Sequence, residues 1–289
     1  MASQTSTNNE IIDAHCHVIS PDREKFPLAP LGGRQSDWSM ERPTTPEQLI
    51  TAMDNAGVAK AAVVQASTAY GHDCSYVAKS IAQFPERLTG VFSIDPLAHD
   101  ALKNIEHWTA RGLTGMRVFT TGTTMPGQQT WLDDEGAYPT WEAAGQLNIP
   151  ISVQMTLKGV PLLEKIIQRF TDTKFLLDHL ARITLDDGPP YAAAAPLLTL
   201  SKYPNVYLKF TSRTVEQCHL GKADAKSFLS MILEYFGAER MMWGSNFPAH
   251  DDTLANILRN ACDILQHASP SDRSNILSGT AKRIYPSLA

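Results

Sequence analysis

Eight short runs of β-branched and apolar residues recur along the chain, and a segment with helical character follows each of them. This alternation is typical of parallel strands joined by crossover helices. Eight such units without a short fixed repeat favour an α/β fold of the closed (β/α)8 TIM-barrel type, with an open doubly wound sheet as the alternative. The predicted strands are residues 11–17, 61–66, 88–94, 115–119, 151–155, 175–179, 206–210 and 241–245.

The intervening segments predict helices that begin near residues 45, 72, 99, 135, 160, 191, 223 and 252. The first start is the clearest, because Thr45 supplies a capping hydroxyl before Pro46, Gln48 follows three residues later, and Gly57 ends the segment. Barrels of about 250 residues fold as one unit. We therefore expect a disordered tail at residues 1–10 and one barrel domain at residues 11–289.

Composition narrows the class of partner. The net charge of −5 is unsuited to a phosphate backbone, so nucleic acid is not expected. The four cysteines form no C-x-x-C pair, which favours reduced thiols in the cytoplasm, and no apolar run of about 18 residues predicts a membrane span. A small molecule is the expected partner, and the oligomeric state stays open.

Two connections are too long to be simple turns: residues 19–44 after the first strand and residues 120–134 after the fourth. Loops that follow barrel strands lie at the C-terminal face, where active sites form. We therefore expect both loops to wall a pocket. The side chains that either line it or merely anchor the loops are Trp38, Met40, Met125 and Trp131.

Histidines mark the ends of two predicted strands. Asp13, His15 and His17 are spaced two apart, so they are expected to share the face that points into the barrel mouth. Two converging imidazoles can bind a metal, or they can polarise a carbonyl or a water. The apolar run FLL ends in Asp178 and His179, which breaks the pattern of the sixth strand where barrel chemistry takes place.

Cationic and polar side chains near the other strand ends predict an anionic substrate. Guanidinium groups bind carboxylates in a bidentate manner, and Ser67 and Tyr70 offer hydroxyl groups after the second strand. Salt bridges to the loop acids Asp133, Asp186 or Asp187 are the alternative role for each cation. The cations expected to ring the mouth are Arg117, Arg182, Lys209 and Arg213.

Together these motifs resemble one branch of the amidohydrolase superfamily, which holds pyrone-dicarboxylate lactonases, sulfomuconolactone hydrolases and sugar lactonases. The resemblance covers residues 12–285. It is carried by residues 13–17 (DAHCH), 64–67 (VQAS), 115–117 (GMR), 177–179 (LDH), 243–245 (WGS) with 247–248 (FP), and 276–285 (ILSGTAKRIY). It implies a hydrolase that opens a carboxylate-bearing lactone or similar cyclic ester, with His15, His17 and His179 polarising the ester carbonyl.

The chain departs from that family pattern at two positions. Metal-dependent members place a histidine at the end of the fifth strand, where this chain has Gln154, a candidate substrate contact. An acid normally ends the eighth strand, where this chain has Asn246, which cannot accept a proton near neutral pH. The resemblance to pyrone-dicarboxylate lactonases implies a site without a metal. One zinc ion bound by the three histidines is the alternative.

Asn246 at this catalytic position leaves several explanations open. It is either an engineered replacement of an aspartate or natural. If it is natural, His179, Asp178 or Asp251 takes the proton of the attacking water, or the reaction needs no activated water, as in decarboxylation, isomerisation or elimination. A barrel that binds a small anion without turnover is a further alternative.

Overall fold

The computed structural model describes residues 10–289, so the predicted tail at residues 1–10 lies, apart from its last residue, outside the described residues. Eight parallel strands follow one another around one sheet in chain order, which confirms the (β/α)8 barrel. The strands are β1 (Ile11–Cys16), β2 (Val58–Val64), β3 (Leu88–Ser93), β4 (Leu113–Phe119), β5 (Ile151–Gln154), β6 (Phe175–Leu177), β7 (Val206–Thr211) and β8 (Met241–Gly244).

Helices cover the outside of the barrel and pack their apolar faces against the strands. No helix among the described residues combines the length and the apolar character needed to cross a membrane. The crossover helices are Pro46–Ala56, Ser75–Gln83, Ala101–Thr109, Tyr138–Gln146, Val160–Arg169, Ala195–Leu198, Ala225–Phe236 and Leu254–Leu265. Shorter helical segments are Asp37–Glu41, Ser67–Tyr70, Ser212–Gln217, Pro270–Ser274 and Thr280–Ile284, and His179–Arg182 forms a turn with positive φ values.

The predicted cap of the first crossover helix is confirmed. The Thr45 side chain accepts the backbone N–H of Gln48, the Gln48 side chain accepts the N–H of Thr45, and Gly57 ends the helix with φ +72°. Such a reciprocal capping box is encoded within a few residues, so sequence alone predicts it.

Three α-helices begin three or four residues after their predicted starts, at Ser75, Tyr138 and Ala195, and 3-10 turns at Glu135–Ala137 and Ala192–Ala194 precede the last two. The Asp73 carboxylate accepts the backbone N–H of Ser75, which delays the helix expected near residue 72 until Ser75. Tyr191 has a left-handed φ of +58°, so the α-helix of that unit begins only at Ala195. Side chains that bond nearby backbone groups compete with the first helical turn in this way.

Residues near the C-terminus close one end of the barrel, so the other end is open. Tyr285 and Leu288 pack into the apolar layer formed by inward residues such as Ile12 and Val64. Gly115 is needed there, because a Cβ at this position would lie 2.8 Å from the Tyr285 ring. The cavity therefore opens at the C-terminal ends of the strands.

The seam between β8 and β1 brings the ends of these strands together. The backbone N–H of Asn246 donates to the carbonyl of His15 over 2.7 Å. Asp13 Oδ1 accepts the N–H groups of Ser245 and His15 over 2.8 and 3.0 Å. Gly244 permits this approach, because a Cβ there would lie 2.6 Å from the Cβ of His15.

Candidate functional site

An open cleft of about 570 Å³ lies at the C-terminal ends of the strands. It is the place where the barrel brings together most of the side chains that the sequence singled out. From that set, the residues that line it are His17, Ser67, Arg117, Gln154, His179, Arg182, Arg213 and Asn246.

Both long loops form walls of this cleft. Trp38 comes from the first loop and lies with its ring centroid 5.2 Å from that of His17, while Thr123 comes from the second. The loops also contact each other, since the Thr124 hydroxyl donates to the carbonyl of Leu31 over 2.8 Å. The two loops, which follow different strands, thus support each other along one side of the cleft, where Trp38 lies.

The other aromatic and methionine candidates of these loops do not line the cleft. Met40 is 56% exposed. Trp131 stacks on Trp141 with a centroid separation of 6.4 Å, so it anchors its loop to a helix. Met125 packs beside Gly32, which ties the two loops together.

A bulge in β1 changes which side chains enter the cleft. Asp13 pairs with Ala61 and Cys16 with Val63, so three residues of β1 advance against two of β2. Bulges of this kind re-aim side chains next to active sites. The expectation that Asp13 shares a face with both histidines is wrong, because its carboxylate instead receives the backbone N–H groups at the β8–β1 seam.

The backbone is strained where two strands deliver their functional side chains. The four residues from His179 to Arg182 all have positive φ, between +50° and +56°, and Asn246 has φ +59°. A left-handed conformation costs roughly 1–2 kcal/mol for an ordinary L-residue. Such strain concentrates at functional sites. The left-handed turn places His179 and Arg182 on the same cleft.

A buried charged cluster supports the floor of the cleft. Arg117 Nε donates to Asp178 Oδ2 over 2.8 Å, and Lys209 Nζ lies 3.3 Å from Asp178 Oδ1. Lys209 also donates to Ser152 Oγ over 2.7 Å. Burial alone would raise the pKa of the Asp178 carboxyl, but Lys209 and Arg117 outweigh it and hold that pKa well below its ordinary value. Asp178 is therefore an ionised counter-ion and a poor proton acceptor.

Three residues expected to meet a substrate lie elsewhere. Lys209 and His15 are fully buried beneath the cleft, with Lys209 Nζ 3.4 Å from His15 Nδ1. The Tyr70 hydroxyl accepts the backbone N–H of Ser20 over 2.8 Å, so it is used in packing the first loop. None of the three lines the cleft. Lys209 points inward from the middle of its strand, one layer below the mouth.

The two histidines of the cleft are neutral near pH 7. Burial, followed by the nearby Arg117 guanidinium, lowers the pKa of His17 to about 4. Burial also lowers the pKa of His179 well below its ordinary value, although Asp178 opposes this shift. Both rings thus keep one lone pair and one N–H group available for hydrogen bonds.

The hydrogen-bond partners of these rings were not predicted from the sequence. His17 Nδ1 lies 2.8 Å from the carbonyl of Val64, and His179 Nδ1 lies 2.7 Å from the hydroxyl of Thr211. Thr211 is the last residue of β7, so its position at a strand end was the available signal. The partner at Val64 is a backbone carbonyl, which every residue has, so the residue type could not indicate this contact.

Two guanidinium groups in the cleft have no acidic partner within the described part of the chain. Arg182 and Arg213 both line it, and burial followed by the charge of Arg213 lowers the pKa of Arg182. Two of the three loop acids considered as alternatives bond elsewhere: Asp133 pairs with Lys165, and Asp187 accepts the N–H of Ala193. Two adjacent cations create a place for an anion.

A sequence profile of the amidohydrolase family matches residues 12–287. The chain belongs to the amidohydrolase family. The resemblance seen in the sequence motifs is thereby confirmed.

Individual relatives of this amidohydrolase are distant. An L-fucono-1,5-lactonase from Burkholderia ambifaria is 24% identical over 164 residues, which cover 54% of this chain and 56% of that protein. The matched part thus spans little more than half of the relative's length. A crystal structure of a probable 2-pyrone-4,6-dicarboxylic acid hydrolase from Acinetobacter baumannii, with citric acid bound, has a TM-score of 0.76 at 17% identity, covering 96% of this chain and 99% of that one.

One structural relative carries a metal. An amidohydrolase from Burkholderia multivorans with bound zinc has a TM-score of 0.76 at 19% identity, covering 96% of this chain and 99% of that one. In residues 10–289 of the present amidohydrolase, no group of three or more histidine, cysteine or acidic side chains is arranged to hold a metal ion. Lys209 and Arg117 bring two fixed positive charges to the histidine cluster, with Lys209 beside His15.

Proposed function

We propose that this amidohydrolase hydrolyses a lactone, or a similar cyclic ester, that carries a carboxylate. The observation that carries the proposal is the joint presence, in one cleft, of two neutral histidines and two guanidiniums that have no acidic partner among residues 10–289. The names of two relatives, a fuconolactonase and a pyrone-dicarboxylic acid hydrolase, both describe the opening of a lactone and support this choice.

The substrate carboxylate is assigned to Arg182 and Arg213. A carboxylate between these two guanidiniums would remove their mutual repulsion and form charge-assisted hydrogen bonds. Ser67 adds a buried hydroxyl that has no hydrogen-bond partner among the described residues. The citric acid bound by the Acinetobacter baumannii relative is also an organic acid, which agrees with an anion site in this fold.

Arg117 and Gln154 form the next part of the site. Arg117 donates to Gln154 Oε1 over 3.2 Å and lies 4.5 Å from the centroid of the Phe119 ring. These contacts fix the guanidinium at the end of β4. Held in this way, it stabilises the negative charge that develops on the ester carbonyl oxygen without moving during the reaction.

His179 is assigned to polarise the ester carbonyl. Its ring is held by the Thr211 hydroxyl, and a hydroxyl can donate to Nδ1, which leaves the proton on Nε2 for donation to the carbonyl oxygen. His15 is assigned a positioning role, because it is buried between the rings of His17 and His179 at centroid distances of 5.0 and 5.1 Å.

We further propose that this reaction proceeds without a metal. The fixed charges of Lys209 and Arg117 next to His15 and Asp178 provide positive potential where a metal would otherwise be needed, and they repel a divalent ion. A single barrel domain at residues 11–289, a cytoplasmic location and the absence of a nucleic-acid partner stay predictions from the sequence.

The proposed function is tested with a panel of lactones. The unaltered chain and Asn246→Asp are assayed on lactones with and without a carboxylate, and Asn55→Asp, an exposed position in the helix Pro46–Ala56, is the matched control. We expect ring opening, with a higher kcat/KM for the carboxylated members. Absence of ring opening in both versions would refute lactone hydrolysis, and carbon dioxide release from the same acids would favour decarboxylation.

A further inference from the structure

Lactone hydrolysis needs a group that takes a proton from the attacking water, and this cleft offers no carboxylate for that step. Within the described residues, the ionisable groups that line it are histidines and arginines. Asn246 lines the cleft with an amide, which cannot accept the proton. Asp178 is held as a counter-ion, and Asp251 has an 87% exposed side chain 3.6 Å from Arg42.

The hydrogen bond of His17 determines which of its nitrogens is free. Its Nδ1 lies 2.8 Å from the Val64 carbonyl oxygen, which can only accept, so Nδ1 must carry the ring proton. Nε2 then holds the lone pair. A backbone carbonyl can accept a hydrogen bond but cannot donate one. The fold therefore determines that His17 carries its proton on Nδ1.

Asn246 lies beside His17 at the mouth of the barrel. The backbone N–H of His17 donates to the carbonyl of Phe247 over 2.8 Å, and the side chain of Asn246 lines the same cleft as the His17 ring. The backbone of Asn246 is held at the β8–β1 seam by the 2.7 Å bond to the carbonyl of His15. Trp38 packs on the ring of His17 from the loop side. These contacts hold the His17 ring and the Asn246 backbone beside each other.

His179 is in a different situation. Its Nδ1 meets the Thr211 hydroxyl, which can donate or accept, so His179 is free to carry its proton on Nε2. A ring with an Nε2 proton is a donor to a carbonyl oxygen, whereas a ring with an Nε2 lone pair is a proton acceptor. The two histidines of the cleft are thus suited to opposite tasks.

We propose that Nε2 of His17 is the general base of the hydrolysis and that the Asn246 amide orients the water. This inference rests on the proposed lactone hydrolysis. An O–H bond of water breaks as its proton moves to Nε2, and the water oxygen bonds to the lactone carbonyl carbon. The carbonyl electron pair moves to the oxygen that faces His179. Collapse then breaks the bond from carbonyl carbon to ring oxygen, and the ring oxygen takes the proton from His17.

The charges around His17 agree with this role. Arg117 on β4, Asp178 and His179 after β6, and His15, two residues earlier on β1, face its ring. Burial and Arg117 lower the pKa of His17 to about 4, against opposing contributions from Val64, Asn246 and Asp178. A pKa near 4 is that of an ordinary carboxylate. His17 thus offers about the basicity of an ordinary carboxylate.

A rescue experiment separates a base from a structural residue. We expect His17→Gln to lower kcat by about 10²–10⁴-fold, the usual contribution of a general base. Adding Asn246→Asp to that variant returns a carboxylate to the site and should recover at least about tenfold of the loss. The matched pair is His179→Gln with and without Asn246→Asp, in which the carboxylate should recover nothing because carbonyl polarisation is what is missing.

Every other outcome contradicts the role of His17 as the base, the proposed lactone hydrolysis, or both. If the unaltered chain opens lactones and Asn246→Asp does not rescue His17→Gln, His17 is not the base. If only Asn246→Asp opens lactones, the cleft suits lactone hydrolysis but His17 does not act in it. If neither opens any lactone, the proposed function itself fails and this inference fails with it.

A spectroscopic measurement covers the case in which His17→Gln does not fold. Nitrogen-15 NMR of the histidine rings in the unaltered chain reports which nitrogen of each ring is protonated. We expect His17 to be protonated at Nδ1 and unprotonated at Nε2 at pH 7. A proton found on Nε2 of His17 would overturn the inference without any substitution.

Discussion

Arg117 donates a hydrogen bond from Nε to Oδ2 of Asp178 over 2.8 Å, and both side chains are buried. Lys209 approaches the other oxygen of the same carboxylate at 3.3 Å. One carboxylate thus serves as the counter-ion of two buried cations beneath the cleft. Because the desolvation of a charge is costly, this carboxylate should matter more to folding than any carboxylate on the surface.

Replacing Asp178 with asparagine should lower the free energy of unfolding by about 3–5 kcal/mol, since Arg117 and Lys209 would stay buried without a counter-charge. The matched control is Asp37→Asn, which removes an exposed ion pair with Arg34 at 3.6 Å. That control should change stability by no more than about 1 kcal/mol. Urea denaturation of both variants measures the difference, and equal losses would contradict this account of the cluster.

Replacing Arg182 with glutamine should raise KM for a carboxylated lactone and leave kcat nearly unchanged. A hydrogen bond to a charged group contributes about 1.5–3 kcal/mol, which corresponds to a change in KM of about 10- to 100-fold. KM for an uncharged lactone should not change. Arg259→Gln, on an exposed part of the helix Leu254–Leu265, is the control. Equal effects on charged and uncharged lactones would argue against a carboxylate site at Arg182.

Replacing Tyr70 with phenylalanine should affect stability and not substrate binding. The change leaves the buried N–H of Ser20 without an acceptor, which costs about 1–3 kcal/mol. Thermal unfolding measures the first effect, and KM for the best lactone of the panel measures the second. A large rise in KM at unchanged stability would return Tyr70 to the substrate site.

Stability should fall as the pH is lowered from 6.5 to about 4. Over this range the unfolded chain protonates His17, whose ordinary pKa is 6.5, while the folded chain, with a pKa of about 4, does not. At about 1.4 kcal/mol per pH unit, His17 accounts for a loss of about 3 kcal/mol in the free energy of unfolding. This loss is complete once the pH has fallen through the pKa of His17 in the folded chain. The pH dependence of urea denaturation should be shallower for His17→Gln. Parallel pH curves would contradict the assigned shift.

Exhaustive dialysis against a chelator should leave lactone hydrolysis unchanged. The physical reason is the positive charge of Lys209 and Arg117 at the histidine cluster, which takes the place of a divalent ion. Metal analysis of the dialysed protein should accompany the assay. Activity that disappears on dialysis and returns with zinc would show that the histidines bind a metal after all.

Local patterns in the sequence determined much of this protein. Eight apolar runs predicted the eight strands of the barrel, because a buried parallel strand is recognised from its own residues. The capped start at Thr45 was predicted for the same reason. His17, His179 and Asn246 were placed at the mouth because they end predicted strands, and strand ends in a barrel meet at one face.

Only the tertiary structure decided how deep each side chain lies and which charges pair. Arg117 and Lys209 were equivalent in the sequence, yet one lines the cleft and the other is fully buried below it. The tilt and stagger of the strands set that depth, and residue spacing does not encode them. The bulge at Asp13 and the pairing of Asp178 depend likewise on neighbours that are distant in the chain, so only the folded barrel brings them together.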